Sequence, residues 1–340
     1  MLIQQNKSLK QFNSFGIEAI AKNFALINSL DSLEELISTY YSSINKAHFI
    51  LGGGSNILFT NALINCWVLK TEMKGITLVK EDEDHYFVEV AAGENWHQFV
   101  LYCIKNGYAG IENLSLIPGC VGASPIQNIG AYGVEIKDVI DSVELYHLKE
   151  RLVMHFGLAD CMFDYRESIF KTQLKNQFVI LKVCFRLNKK PSFNINYGAI
   201  EQELQTMGIQ ELNIQNISEA IIRIRSRKLP DPKKIGNAGS FFKNPTLSNI
   251  QFQKIKNNFP DIPGYPSING MVKVAAGWLI EQAGWKGYRI GDAGCNELQS
   301  LVLVNFGNAT GIEIYELSSK IINSVENKFG IILEREVNIL

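Results

Sequence analysis

Paired cysteines, clustered histidines, long apolar runs and any excess of charge are all missing from this 340-residue sequence, and each absence excludes something. The six cysteines (Cys66, Cys103, Cys120, Cys161, Cys184 and Cys295) lie no closer than 17 residues apart, so no Cys-x-x-Cys pair exists for redox chemistry or zinc. Scattered thiols in a chain able to bury a real core predict reduced cysteines and a cytoplasmic compartment. His48, His85, His97, His147 and His155 show no metal-ligand spacing, and no metal is expected. Lys plus Arg number 33 against 34 for Asp plus Glu, which leaves no basic field to hold a nucleic acid. Apolar runs such as Leu301–Val304 are too short to span a bilayer. Residues 1–10 are polar and lack the apolar core of a secretion signal. Neither membrane insertion nor export is expected.

What is present reads as ordinary globular protein: 46% apolar and 20% charged residues, in a length that predicts two or three domains. Apolar periodicity predicts helices over 31–41, from Trp96 to near Gly107, and over 218–227, 250–259, 275–283 and 310–329. The last carries a Thr310/Glu313 capping box. Strands are expected at 48–51, 143–147, 152–156 and 178–186, with a long structured loop between Gly107 and Gly133. A domain boundary is expected within 190–215, after Lys189-Lys190-Pro191. The sequence has no internal repeat.

Several segments could carry chemistry. Gly52-Gly53-Gly54-Ser55-Asn56 follows a strand, and successive glycines let backbone amides approach an anion; a plain hairpin turn is the alternative. It fits neither the Walker pattern nor the dinucleotide fingerprint. The stretch Ile117–Gly133 is small, apolar and uncharged, which suits a large flat ligand or, alternatively, a buried packing loop. Arg166 reads alone as a surface ion-pair partner. Ser240 reads alone as a turn cap, and no Gly-x-Ser-x-Gly nucleophile elbow surrounds it. Glu334 and Glu336 flank Arg335, where strand alternation would put both on one solvated face. Arg223, Arg225, Arg227 and Lys228 read as a solvated helix face or a diphosphate partner.

Taken in order, these blocks closely resemble the UDP-N-acetylenolpyruvoylglucosamine reductase family. They are Leu51–Leu58, Ile117–Gly133, Asp164–Lys171, Lys228–Pro245, Ala275–Ile280 and Leu333–Val337, spread from about Ser14 to Val337. The resemblance implies an α+β fold: an FAD-binding module of the PCMH (vanillyl-alcohol-oxidase-like) type in two subdomains, 1–65 and 66–200. An α/β substrate-binding domain over 215–330 and a C-terminal strand at 331–340 carrying Glu336 would follow. Tyr197 and Tyr265, with the Leu-Glu-x-Glu-Val ending, match the branch with a tyrosine-bearing loop (type I).

By position, the resemblance implies that Gly52, Gly53, Gly54, Ser55 and Asn56 face the FAD pyrophosphate. Gly119, Cys120, Gly122, Ala123, Ser124, Asn128, Gly130 and Ala131 would line the rest of the flavin. Tyr132, Tyr197, Lys228, Asn244, Tyr265 and Gln299 match substrate-binding positions, although the segment Gly291–Glu297 departs from the family pattern. Arg166, Ser240 and Glu336 match catalytic ones. FAD would be the cofactor and NADPH the co-substrate. UDP-N-acetylglucosamine-enolpyruvate would be reduced to UDP-N-acetylmuramate, in peptidoglycan precursor synthesis, by a monomer. A reduced enolpyruvyl ether needs a hydride that no side chain supplies, a cation for the charge spreading into the carboxylate, and a proton. Arg166 suits the second need and Ser240 is the expected proton donor. Glu336 would polarise the carboxylate if held neutral by burial. Another FAD-dependent oxidoreductase of the same fold, or a non-catalytic nucleotide-sugar binder, is the competing reading.

Overall fold

Helix Leu30–Ile44 (α1) begins where Ser29 and Ser32 cap each other reciprocally, and it buries Leu33, Leu36, Ile37 and Ile44 along one stripe. A computed structural model describes residues 2–196 and 198–340 of the chain; the expected substrate residue Tyr197 lies outside the described residues. Backbone contacts divide the chain into two compact units. The first comprises Met1–Lys7, Ala21–Gly53 and Ile64–Arg225; the second comprises Ser8–Ile20, Gly54–Leu63 and Ser226–Leu340.

The first unit holds a four-stranded sheet in the order Leu2–Ser8, Ile20–Ile27, Leu63–Thr71, His48–Leu51, in which the last two strands run parallel. It also holds a five-stranded antiparallel sheet, ordered Leu152–Gly157, Ile140–His147, Phe178–Asn188, His85–Ala91, Ile76–Glu81. Helix Trp96–Lys105 (α2) starts at the Asn95 cap and drives Trp96 and Phe99 into the core against Phe185. The expected loop is indeed largely irregular, with single 3-10 turns at Glu112–Leu114 and Val121–Ala123 and the two-residue strand Gly130–Ala131.

The unit does not end within 190–215. Helix Gly198–Thr206 (α3), which the periodicity missed, packs Ile200 and Leu204 on Ile217, Ala220, Ile221 and Ile224 of helix Ile214–Lys228 (α4). That shared apolar core carries the first unit through to Arg225. Likewise, both expected FAD-binding subdomains contribute to it, while Gly54–Leu63 groups with the C-terminal residues.

The second unit contains helices Asn249–Asn258 (α5), Ala276–Gln282 (α6) and Gly311–Phe329 (α7). An antiparallel sheet ordered Gly236–Ser240, Val302–Asn305, Ala293–Cys295, Arg289–Ile290 packs on α7, as does α6. The Thr310/Glu313 capping box is present, and α7 ends at Gly330 with φ +67°. The expected C-terminal strand shrinks to Asn338–Ile339, parallel to Ile57–Leu58. Glu336 precedes it in extended but irregular backbone, because its segment pairs through single bonds: an isolated Phe242/Arg335 bridge and the Glu336 amide to Phe241 O, 2.8 Å.

Candidate functional site

In the first unit the two glycine segments meet. A Cβ on Gly53 would sit 2.6 Å from Gly119 Cα, and one on Gly52 would sit 2.6 Å from Cys120 Sγ. Side chains at these positions would push the loops apart, so the glycines are required by backbone-on-backbone contact as much as by any anion. The second loop is stitched to residues 92–96: Trp96 N to Gly119 O, Val121 N to Glu94 O and Gly122 N to Ala92 O, at 2.9–3.1 Å. The result is an uncharged wall of backbone and small side chains, which fits the flat rings and pyrophosphate of FAD. Burial pushes the Cys120 thiol up, and it stays neutral at this wall.

Not every expected lining residue presents its side chain. Asn128 is fully buried; its amide donates to Glu135 Oε2 and Asp164 O, both 3.0 Å, and accepts from Lys137 N. Ser124 is buried with its hydroxyl on Val121 O at 2.6 Å. Both brace the loop from within. Asn56 has a second tie. It belongs to the second unit, where its side chain donates to Glu336 O at 3.2 Å and its carbonyl accepts from Asn338.

Arg166 occupies a tight turn closed by two backbone hydrogen bonds between Asp164 and Glu167, with φ +55°, strained for a non-glycine residue. Its guanidinium donates to Gly130 O at 2.6 Å and to Asn128 O at 3.3 Å, and stacks near Tyr165. The lone-residue expectation of a surface ion pair is replaced by a cation seated on the carbonyls of the wall. Ala131 packs against the main core and Tyr132, at φ +51°, against α3 and α4.

In the second unit Ser240 ends a strand that bulges between Asn237 and Ser240. Gly239 takes φ +69°, its amide held by Asn237 Oδ1, and the extra residue turns Ser240 outward while Phe241 and Phe242 are buried. Phe241 ties three segments together: its amide binds Leu301 O, and its carbonyl receives the Glu336 amide. Ser240 and Glu336 are thus carried by adjoining segments. Arg335 fixes the second of these on α7, donating to Ser318 and Ser319 hydroxyls at 2.8 and 2.6 Å and stacking over Tyr315. Glu334 is exposed and reaches Lys243 at 2.5 Å, while Glu336 is half-buried.

The expected substrate residues of this unit are spread around it. Asn244 accepts from Ala276 N at 2.9 Å, and Gln299 lies beside the same end of α6, against Gly277. Tyr265 is exposed on the small sheet of Thr246–Leu247, Val272–Val274 and Gly264–Pro266; Lys228 is exposed at the end of α4.

Three groups escaped sequence reasoning. Glu112 is buried, its carboxyl raised by desolvation while accepting from Gly110 N. Arg225, read as solvated, is half-buried beside the Tyr132 hydroxyl, and its buried Nε has no partner. His97 accepts from Leu116 N. Only the helical register of 214–228 hinted at the second, by placing Arg225 next to the buried Ile224. Among the described residues no helix is long and apolar enough to cross a membrane and no acidic, cysteine or histidine cluster could hold a metal. All six cysteines are free.

Residues 24–153 match the FAD binding domain family, and residues 231–340 match the C-terminal domain of UDP-N-acetylenolpyruvoylglucosamine reductase. The chain is 49% identical to the UDP-N-acetylenolpyruvoylglucosamine reductase of Amoebophilus asiaticus, over 100% of both sequences. It is 48% identical to that of Flavobacterium johnsoniae, again over both full lengths, and 47% to that of Pseudomonas fluorescens, over 99% of this chain and 98% of the relative. Its fold is that of the Thermus caldophilus enzyme of the same name, with a TM-score of 0.68 at 21% identity, covering 99% and 98% of the two chains. The wall of glycine loops, the braced arginine and the adjoining Ser240 and Glu336 segments therefore belong to a member of the FAD-dependent UDP-N-acetylenolpyruvoylglucosamine reductase family.

Proposed function

We propose that the chain reduces UDP-N-acetylglucosamine-enolpyruvate to UDP-N-acetylmuramate at the expense of NADPH, with Arg166, Ser240 and Glu336 as the reacting side chains. Bound FAD supplies the hydride-transfer chemistry that side chains lack. Gly52, Gly53 and the Gly119–Ala131 loop would hold it, since their backbones make a wall without charge or bulk.

Arg166 then has the electrostatic task. As the terminal methylene gains hydride, negative charge builds on the neighbouring carbon and spreads into its carboxylate. A guanidinium already anchored on two carbonyls meets that charge without reorganising. Ser240 delivers the proton to the same carbon. Its exposed position beyond the bulge is the observation that carries this assignment, because the flanking Phe241 and Phe242 are buried and it alone is presented. A serine hydroxyl is a weak acid, adequate only beside a strongly basic carbanionic centre. Glu336, in its neutral form, donates a hydrogen bond to the substrate carboxylate.

Lys228 and Arg227 would neutralise the diphosphate, and Tyr132, Asn244, Tyr265 and Gln299 would position the nucleotide sugar. Tyr197, which matches the tyrosine-loop branch, would join them in binding it. Free thiols and the lack of a membrane-crossing helix among the described residues support a cytoplasmic enzyme, which we take to act as a monomer. The test is anaerobic. The purified protein should be yellow, bleach with NADPH, and regain colour promptly with the enolpyruvyl nucleotide sugar but not with UDP-N-acetylglucosamine. A colourless protein that ignores added FAD would reject the reading.

A further inference from the structure

Leu116 stands in the left-handed region at φ +59°, immediately before Ile117-Pro118-Gly119. Leucine has no side-chain oxygen to support that conformation, so the surroundings must hold it there. Its amide donates to His97 Nδ1 at 3.0 Å. His97 is the second residue of α2, next to Trp96, whose amide binds Gly119 O and whose indole N–H binds Leu114 O at 2.9 Å. The first turn of α2 therefore grips the loop before, at and after the strained residue.

We propose that His97 is a positioning residue for the cofactor: its neutral imidazole latches Leu116 in the left-handed conformation that sets the Gly119–Gly122 segment against Gly52 and Gly53. The proposal rests on the reading of that segment as the FAD wall. Only an imidazole with a bare Nδ1 can accept the Leu116 amide. Three features favour that form. Burial and the Arg225 guanidinium, the charged group that faces His97 from α4, hold its pKa below the ordinary histidine value. The amino end of α2 also disfavours a cation at its second residue. Protonation would replace the acceptor by a donor opposite the Leu116 N–H and open the latch. The sign follows: the latch is closed at neutral pH and is lost as pH falls below the usual imidazole range.

The experiment compares wild type with His97→Ala and His97→Asn, whose Oδ1 can accept in place of Nδ1 but cannot titrate. Two quantities are followed from pH 5 to 8: FAD release from the holoenzyme by flavin fluorescence, and hydrogen exchange of the Leu116 amide. His97→Ala should release FAD about tenfold to a hundredfold faster at every pH, the usual scale for a lost hydrogen bond that strands its donor. It should also deprotect Leu116. Wild type should approach that behaviour only in acid, and His97→Asn should hold near the neutral wild-type values throughout. Leu116 protection unchanged in His97→Ala, or His97→Asn behaving like His97→Ala, would overturn the latch. Leu116 deprotected with FAD release unchanged would instead refute the assignment of this loop to FAD, and with it the positioning role.

Discussion

Arg166 and Ser240 are both delivered by a left-handed turn, yet the two turns hold their residues differently. Arg166 itself carries the unusual backbone angle, and its side chain is also a brace, bound to carbonyls of the loop it serves. At Ser240 the angle is borne by Gly239 and the anchoring by Asn237, Phe241 and Phe242, leaving the hydroxyl exposed with no structural duty on its own strand. With the roles proposed above, chemistry and architecture would be fused at the first residue and separated at the second. A substitution at Arg166 should then change both, whereas one at Ser240 should change only reactivity.

The largest effect tests that separation directly. Ser240→Ala should leave flavin reduction by NADPH intact and slow re-oxidation by the enolpyruvyl sugar by at least ~10³-fold, the range of a lost acid catalyst. The melting temperature should stay put. Equal losses in both half-reactions, read by stopped-flow absorbance, would make Ser240 structural. Arg166→Ala should slow re-oxidation by roughly 10²-fold. It should also lower the melting temperature by about 4–8 °C, because two charge-assisted hydrogen bonds to the loop disappear. A variant that lost activity with an unmoved melting curve would show the brace to be idle.

Smaller effects probe the strand beside Ser240. Glu336→Gln keeps a donor and should retain at least about tenfold more re-oxidation rate than Glu336→Ala, by the weight of one hydrogen bond to a charged group; the reverse order would reject a neutral donor. Arg335 touches α7 and its own backbone bridge, not the chemistry, and acts on Glu336 only through position. Arg335→Leu should therefore lower turnover by at most about tenfold, with the NADPH half-reaction unchanged. A loss as deep as that of Glu336→Ala would give Arg335 a more direct part.

The limits of sequence reading follow the range of the interactions involved. Helices α1, α2, α5, α6 and α7 were legible because an apolar stripe, a cap and a terminating glycine are all local. Helix α3 was not, since its buried apolar residues, Ile200 and Leu204, have meaning only against α4. Arg225 was misread for the same reason: on a helix drawn alone it belongs to a charged face, and only Tyr132 and the surrounding burial reveal otherwise. Asn56 was read only through its glycine neighbours, and its bond to a residue 280 positions away was invisible along the chain.

By itself the sequence determined two uncharged glycine segments and the ordered blocks that mark the reductase family. Order along a chain is enough for that, because residue types set reactivity. Which of those residues present their side chains and which only brace them was decided by tertiary structure. Asn128 and Ser124 turned inward, Arg335 became an anchor and His97 entered the loop's support, since hydrogen bonds are short and directional and their partners are chosen only once distant segments have packed.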